Sequence, residues 1–575
     1  MIHPLRSRPP TAMLRGFVAC VAWALAAPLA LANESFLPGR THPPADALPA
    51  APIPGPAADG MPTPALPADA YERVRLYAGA PAMLWLDETR LPAAHAWVMA
   101  GLLDDAASDG LDRNDYGLDE IARRFDDLAT MRASSPDDPR LAAADRLLTE
   151  SALRFLRHLH LGRMDPAKAH RGVRLPARSF DAEALLADAL RHRTVERLRE
   201  RAAPPLPMYG RLRKALADYR SIAASPVPLP PLAPLPARGK LEPGEHWDGV
   251  PGLSQLLHAL GDLPGQALVT DIYEPELVDA VRRFQGRHGL DVDGIIGRQT
   301  HAELSVPITA RIVQIELALE RLRWLPEIDA DTFVAINIPA FRLWAFDRGN
   351  GGEPDVWDTR IVVGDASTRT PIFVDHMRWI EFNPYWHVPR SITRRELLPK
   401  LHQDPLYLDR QSMRILDRQG VNAGPPTPEI LEGLADGTYR IRQDPGATNA
   451  LGKVKFVLPN DMSIYLHDTP SRGLFSRSRR AFSHGCIRVE SPETLAQRLL
   501  ANTGKWPQES IMQAIDSGQR TIAGLRRPIP VVIFYVTTMV DPDGSIRFYP
   551  DIYDYDRDAL ASLRSAGKVA AGQAG

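Results

Sequence analysis

Proline divides this chain before any other feature can organise it. Between Ser225 and Gly239 stand Pro226, Pro228, Pro230, Pro231, Pro234 and Pro236. Each fixes φ and lacks a backbone donor, so neither a helix nor a central strand passes through the tract. Residues 33–70 form a second such tract, with Pro43-Pro44 and Pro54-Gly55-Pro56 set among alanines. A stretch of that composition buries no core and reads as a semi-extended tether. At 575 residues the chain is also too long for one ordinary core, so about three domains are expected.

Residues 1–32 have the pattern of a signal peptide. Arg6, Arg8 and Arg15 precede an apolar run from Gly16 to Leu31, and Ala30-Leu31-Ala32 offers small residues for cleavage. The rival is an uncleaved anchor, against which stand the shortness of the run and Pro28. The expected location is the periplasm, free or held at the inner membrane if the segment is retained. A net charge of −2 gives no basis for nucleic-acid binding.

From 71 to 240 apolar residues recur at helical spacing, as at Leu153, Phe155, Leu156 and Leu159, and a helical scaffold is expected. Residues 252–305 read as a small helical unit. Leu277, Val281 and Phe284 share a helix face there, and Asp293-Gly294-Ile295-Ile296-Gly297 closes a turn. Ile312, Ile315, Leu319 and Leu322 stripe a further helix, stopped by Pro326, which reads as a link to the catalytic region. Short strand candidates dominate from 331 onward, Tyr439–Arg442, Ile464–His467 and Cys486–Val489 among them. They predict a β-rich sandwich or barrel over 331–540, with 541–575 as a C-terminal extension. The fold class is multidomain α+β. Residues 389–437 break the strand pattern, and so long an insertion is either a lid or a passive decoration.

The chemistry gathers at one cysteine. Only two occur, and Cys20 lies in the signal segment, which leaves Cys486 alone in the exported chain. An unpaired cysteine there calls for a chemical reason. It sits in Ser483-His484-Gly485-Cys486-Ile487-Arg488-Val489, with His467 nineteen residues upstream. On extended strands Tyr465 and His467 share one face, as do Cys486 and Arg488. Two adjacent strands would then bring His467 to Cys486, where an imidazole can deprotonate the thiol. His484 is the rival base, two residues from Cys486 on the same extended segment. A zinc site from His467, His484 and Cys486 is another reading, but it lacks a second cysteine and a compact ligand pair.

At these residues the chain resembles the L,D-transpeptidase family, the cysteine enzymes that cross-link bacterial peptidoglycan. The family pattern is a histidine, a constrained gap, then Ser/Thr-His-Gly-Cys; here the gap from His467 to Ser483 is fifteen residues. The resemblance implies Cys486 as nucleophile and His467, rather than His484, as proton acceptor and donor. Backbone N–H groups at Gly485 and Cys486 are the expected oxyanion donors. With an ordinary pKa of about 6.5, His467 is expected to form an imidazolium–thiolate pair near neutral pH. Asp468 follows His467 but points to the other face of a strand, so the third member of a triad stays open. Arg488 either holds a stem carboxylate or pairs with an internal acid. Ser483, His484 and Tyr465 are candidate substrate contacts. Asn383, Tyr385 and Trp386 either line a donor groove or pack together.

The resemblance extends along the chain. Residues 71–240 resemble the helical scaffold of long-form L,D-transpeptidases, and 389–437 their capping insertion. Residues 252–305, with Ala280-Val281-Arg282-Arg283-Phe284-Gln285, resemble the peptidoglycan-binding type 1 module, a three-helix unit that binds wall or braces its neighbour. The implied reaction moves the acyl group of a tetrapeptide stem, with loss of D-Ala, onto the side-chain amine of another stem, giving 3→3 cross-links. The motif does not choose the acceptor. Hydrolysis as a carboxypeptidase, attachment of a lipoprotein, and a non-catalytic wall-binding scaffold are the alternatives. The implied partners are peptidoglycan stem peptides and glycan, with cell-wall synthases beside them; no cofactor and no metal is called for. Family members are also acylated by carbapenems.

Overall fold

The computed structural model describes residues 69–572 apart from 80–82, 131–134, 136, 171 and 349–354. The stretches read as a signal segment and, all but its end, as a tether lie outside the described residues.

Helices fill the stretch from Ala70 to Ala223. The longest, Pro139–Leu161, is capped by Asp138, whose carboxylate accepts the Arg140 N–H, and its proline sits where no donor is needed. It runs through an apolar cluster that holds Leu148, Leu153, Phe155, Leu156 and Leu159. The helix Ile308–Trp324 is more than a link, because its Ile315, Leu319 and Leu322 enter the same cluster. Its buried Arg323 bonds Glu320 and Tyr209, while Glu320 accepts the N–H groups of Arg163 and Met164. Phe333, Phe346, Val532 and Phe534 of the following domain complete that cluster, so scaffold and β domain share one core.

Helices Val250–Ala259, Pro275–Arg287 and Arg298–Leu304 pack around Leu253, Leu257, Leu277, Val281 and Phe284. This unit is docked rather than free. Arg287 pairs with Asp262 and reaches the Tyr219 hydroxyl of the scaffold, and His288 stacks on Phe548 with ring centroids 5.4 Å apart.

The strands are β1 Thr332–Asn337, β2 Arg342–Asp347, β3 Asp355–Gly364, β4 Phe373–Phe382, β5 Trp386–His387, β6 Met413–Leu416, β7 Arg440–Gln443, β8 Val454–Val457, β9 Leu466–His467, β10 Ala481–Ser483, β11 Ile487–Val489, β12 Thr521–Phe534, β13 Thr538–Val540 and β14 Ile546–Phe548. Nine of them form one sheet in the order β10-β3-β11-β9-β8-β4-β12-β1-β2, and β2 also pairs with β3. That last pairing closes the sheet into a barrel, with β10 attached outside β3. Ile336, Leu343, Ile361, Ile380, Phe382, Phe456, Leu466, Ile487 and Ile533 fill it.

Two sequence boundaries shift. Tyr439–Arg442, expected in the catalytic sheet, contributes to β7, which instead pairs with β5 and β6 in a separate three-stranded sheet. With helices Leu398–Gln403 and Pro428–Asp436 that sheet encloses its own core of Leu401, Ile415, Leu434 and Ile441. The insertion is thus a small cap domain from Trp386 to Gln443. The stretch after 540 is not an appended extension either. The β13–β14 hairpin packs on the scaffold helix Pro207–Ala223. Tyr553 enters the barrel core, donates its hydroxyl proton to the Gly364 carbonyl at 2.7 Å, and accepts the Thr370 N–H at 3.0 Å.

Three histidines are held neutral in these cores. Burial, reinforced by neighbouring arginines, pulls His158 and His170 down to about 3 and His288 well below its ordinary value. The unfolded chain takes up these protons below about pH 6.5 and the native chain does not. Stability is therefore full above that pH and falls as pH drops toward 3, by roughly 2 kcal/mol at pH 5 for each of His158 and His170, with His288 adding in the same direction. The melting temperature of the purified protein should be several degrees lower at pH 5 than at pH 7. An unchanged midpoint would mean that these rings are charged in the native state.

Candidate active site

Strand alternation sets the site on the outside of the barrel. Leu466, Ile487 and Val489 point into the core, so Tyr465, His467, Cys486 and Arg488 face outward. Strands β9 and β11 are parallel, with Ile487 opposite Leu466 and Arg488 opposite His467. The Ile487 N–H donates to the Tyr465 carbonyl at 3.1 Å, which brings Tyr465 opposite Cys486. Further along the sheet, Lys455 of β8 stands opposite His467, and Glu381 of β4 opposite Lys455. One row across four strands thus reads Glu381, Lys455, His467, Arg488.

The loop ahead of the cysteine is locked by hydroxyls. Ser483 Oγ donates to the Cys486 carbonyl at 2.5 Å and accepts the Gly485 N–H at 3.1 Å. Thr368 Oγ1 donates to the Ser483 carbonyl and Thr370 Oγ1 to the Gly485 carbonyl, each at 2.8 Å. Two expectations are corrected here. Ser483 is 3% exposed and serves the loop, not a substrate. The Gly485 N–H is occupied by Ser483, which leaves the Cys486 N–H as the candidate oxyanion donor; it has no acceptor among the described residues.

Gly485 itself is required by its backbone. Its φ is +112°, and a Cβ there would lie 3.3 Å from Ile464 Cδ1. Gly485→Ala should cost about 1–3 kcal/mol of stability by strain. It should also lower activity at least about tenfold, because the Cys486 N–H moves with the loop. Thermal melting and donor turnover, measured together, check both.

His467 is 5% exposed, and its Nδ1 lies 2.5 Å from the Asp468 backbone carbonyl. That nitrogen carries the proton, so Nε2 is the basic lone pair. The orienting group is a backbone carbonyl, because the Asp468 carboxylate faces away, accepting from the Lys453 N–H at 2.8 Å and Arg472 at 3.0 Å. Burial first, then Arg488 and Lys455 on either side, hold the imidazole down to about 3. Burial pushes the half-buried Cys486 thiol up, against the pull of Tyr465, Lys455 and Arg488. Both directions favour an uncharged thiol and an uncharged imidazole at neutral pH. They run against the imidazolium–thiolate expectation, which took histidine at its solvent value without burial or the two flanking cations.

The remaining candidates separate. His484 is half-exposed, and its Nε2 lies 2.5 Å from Glu396 Oε1 on the cap turn Thr393–Leu397. It latches the cap to the nucleophile loop instead of facing the thiol. Trp386, in the first cap strand, and the Cys486 thiol both act on the Tyr465 phenol, whose titration they shift in opposite directions. Tyr385 lies under Arg442, 4.3 Å from ring centroid to guanidinium carbon. Asn383 is not a groove residue. It is buried at φ +49°, and its amide donates to the Ala514 and Ile515 carbonyls at 2.9 and 3.0 Å, tying down the helix Gln508–Asp516. Arg488 pairs with no acid among the described residues, and its Nε is buried without a partner.

Lys455, Thr368, Thr370 and Glu396 are site residues that the sequence did not single out. The threonines and Glu396 carry no local signal, since they matter only through loops that meet in space. Lys455 does carry one: a lysine inside Val454-Lys455-Phe456-Val457 must alternate away from the core.

Fold and site together define a helical scaffold bearing a closed β-barrel with a cysteine–histidine site under a cap. Residues 331–554 match the family described as L,D-transpeptidase catalytic domain. Residues 74–216 match the Scaffold domain, and 248–304 the family described as "Putative peptidoglycan binding domain". The chain therefore carries an L,D-transpeptidase catalytic domain behind a scaffold domain and a peptidoglycan-binding-type domain. A Haemophilus influenzae protein named "Putative L,D-transpeptidase" is 38% identical over 298 residues, which is 51% of this chain and 58% of that protein. The chain thus spans little more than half of that curated relative. Among solved structures, an L,D-transpeptidase of Stackebrandtia nassauensis is 13% identical with a TM-score of 0.20, covering 51% of this chain and 94% of its own. One of Xylanimonas cellulosilytica is 16% identical with a TM-score of 0.15, covering 52% and 100%. The β10-to-β2 sheet order, not these distant superpositions, describes the fold.

Proposed function

We propose that the protein is a peptidoglycan L,D-transpeptidase that forms 3→3 cross-links. The observation that carries the reading is the outward face on which a buried imidazole, its Nδ1 bound to a backbone carbonyl, stands one pair along the β9–β11 ladder from a cysteine in a hydroxyl-locked loop. As the Cys486 sulfur attacks the carbonyl of the third residue of a tetrapeptide stem, its proton passes to His467 Nε2. The Cys486 N–H meets the oxyanion. The imidazolium then returns the proton to the departing D-Ala amine, leaving a thioester. An acceptor side-chain amine attacks that thioester, gives its proton to His467, and the thiol leaves with it.

Charge supports an acidic substrate. Arg488 is desolvated with no acid partner, which suits a stem carboxylate better than the internal pairing that the sequence left open. Arg390, Ser391, Arg394 and Arg395 line an open depression on the cap next to Glu396. A wall-binding role for the module, a periplasmic location and nearby cell-wall synthases belong to the same proposal. Among the described residues no helix is long and apolar enough to cross a membrane.

The test is incubation of purified protein with disaccharide-tetrapeptide, followed by mass spectrometry. A dimer that has lost one D-Ala supports the proposal. Tripeptide alone means that water is the acceptor, as in a carboxypeptidase. No product, with no adduct on Cys486 from a carbapenem, means that the catalytic domain is idle.

A further inference from the structure

Strand β8 presents a cation to the site that acyl transfer through Cys486 and His467 leaves unused. Val454 and Phe456 are fully buried in the barrel, so Lys455 stands on the outer face. It is directly opposite His467, and its Nζ lies over the Tyr465 ring, 4.3 Å from the centroid. Tyr465 in turn is opposite Cys486 across the β9–β11 ladder, and each group acts on the other's titration. The acid nearest in the row, Glu381, is already engaged, accepting from Arg520 at 3.1 and 3.2 Å and from the Trp379 indole at 3.1 Å. Among the described residues no carboxylate stands within 4 Å of the Lys455 ammonium. A half-buried cation left without a counterion is costly unless an anion forms beside it.

We propose that Lys455 is a positioning residue for acyl transfer: its ammonium holds the Tyr465 phenol against Cys486 and stabilises the negative charge that develops on sulfur as the proton leaves for His467 Nε2. This rests on the reading of Cys486 as nucleophile. The geometry divides the work between the two flanking cations. Arg488, on the strand of the cysteine itself, is free to take a substrate carboxylate. Lys455, two strands away and anchored on an aromatic face, serves the sulfur. Burial pulls the Lys455 ammonium down while Glu381 and Cys486 pull it up, which places the two groups in each other's field. The other groups acting on the thiol are Tyr465 from β9, Arg488 from β11 and the Ser463 carbonyl at 3.5 Å, while His467 stands one pair further along the ladder, opposite Arg488. Trp386 acts on it through Tyr465.

The experiment measures the rate of Cys486 alkylation by iodoacetamide against pH in the full-length protein, for wild type, Lys455→Met and Lys455→Arg. Melting curves are recorded beside it. Lys455→Met should react about tenfold more slowly at pH 7 and shift the midpoint of the profile up by about one pH unit. Lys455→Arg should restore most of the rate. In a Tyr465→Phe background the same methionine substitution should change the rate less than about threefold, because the two residues act as one unit. A Lys455→Met midpoint equal to wild type overturns the inference. So does equal loss in the methionine and arginine variants with lowered melting, which marks a packing role only. Alkylation needs no stem peptide, so failure of cross-linking and failure of this inference are read separately.

Discussion

Cys486→Ser should lower acyl transfer by roughly 10⁴-fold or more, although it exchanges a single atom. A serine hydroxyl has to lose its proton to a base, and the base here is weak, since burial and two cations hold His467 down to about 3. Such an imidazole can serve a thiol, whose proton leaves far more readily than that of an alcohol. Loop geometry should survive the exchange, because the bonds of Ser483, Thr368 and Thr370 run to backbone carbonyls and not to the sulfur. Binding of the donor should therefore stay within about twofold, with the loss in kcat. Single-turnover mass spectrometry of the acyl-enzyme, together with calorimetric binding of the tetrapeptide, separates the two. A serine variant within a hundredfold of wild type would mean that the base is stronger than its surroundings allow.

The sequence made parts of this site legible, and the reasons differ by residue. Cys486 and His467 stand out because Ser-His-Gly-Cys at a fixed gap from a histidine seldom arises without a chemical role. Their common face follows from alternation, which is a property of the backbone and survives any sheet order. Which strand lies beside which is a tertiary fact. Tyr439–Arg442 has the same local pattern as a barrel strand, yet its partners are Trp386, His387 and Met413–Leu416 of the cap. Lys455 illustrates the same limit. Its outward direction could be read from Val454 and Phe456, but its place opposite His467 depends on the β8–β9 pairing. Asn383 errs the other way: proximity in sequence to Tyr385 and Trp386 suggested a groove, while its left-handed backbone turns the amide toward the helix Gln508–Asp516.

The position of the cap follows from the same tertiary facts. Its first strand supplies Trp386 to the Tyr465 phenol, and its Thr393–Leu397 turn supplies Glu396 to His484. Both residues approached, Tyr465 and His484, belong to the segment that leads to Cys486. That placement favours the lid reading over a passive decoration.

His467→Gln should lower kcat/KM by about 10³-fold at pH 7, the usual worth of a positioned general base. The pH profiles carry the sharper expectation. In the wild type the imidazole stays uncharged down to about 3, and the thiol stays protonated to above its ordinary value. The free enzyme therefore keeps one reactive form across the neutral range, and kcat/KM should be flat from about pH 5 to 8, without an inflection near 6.5. In the variant, sulfur can be activated only by loss of its proton to solvent. Its rate should then rise about tenfold per pH unit until the elevated thiol pKa is reached, and the gap to wild type should narrow toward alkaline pH. An inflection near 6.5 in the wild-type profile would mean that His467 titrates as a solvated ring. The resting site would then be the imidazolium–thiolate pair, and water would have to screen Lys455 and Arg488, which flank His467 in the row, from the ring.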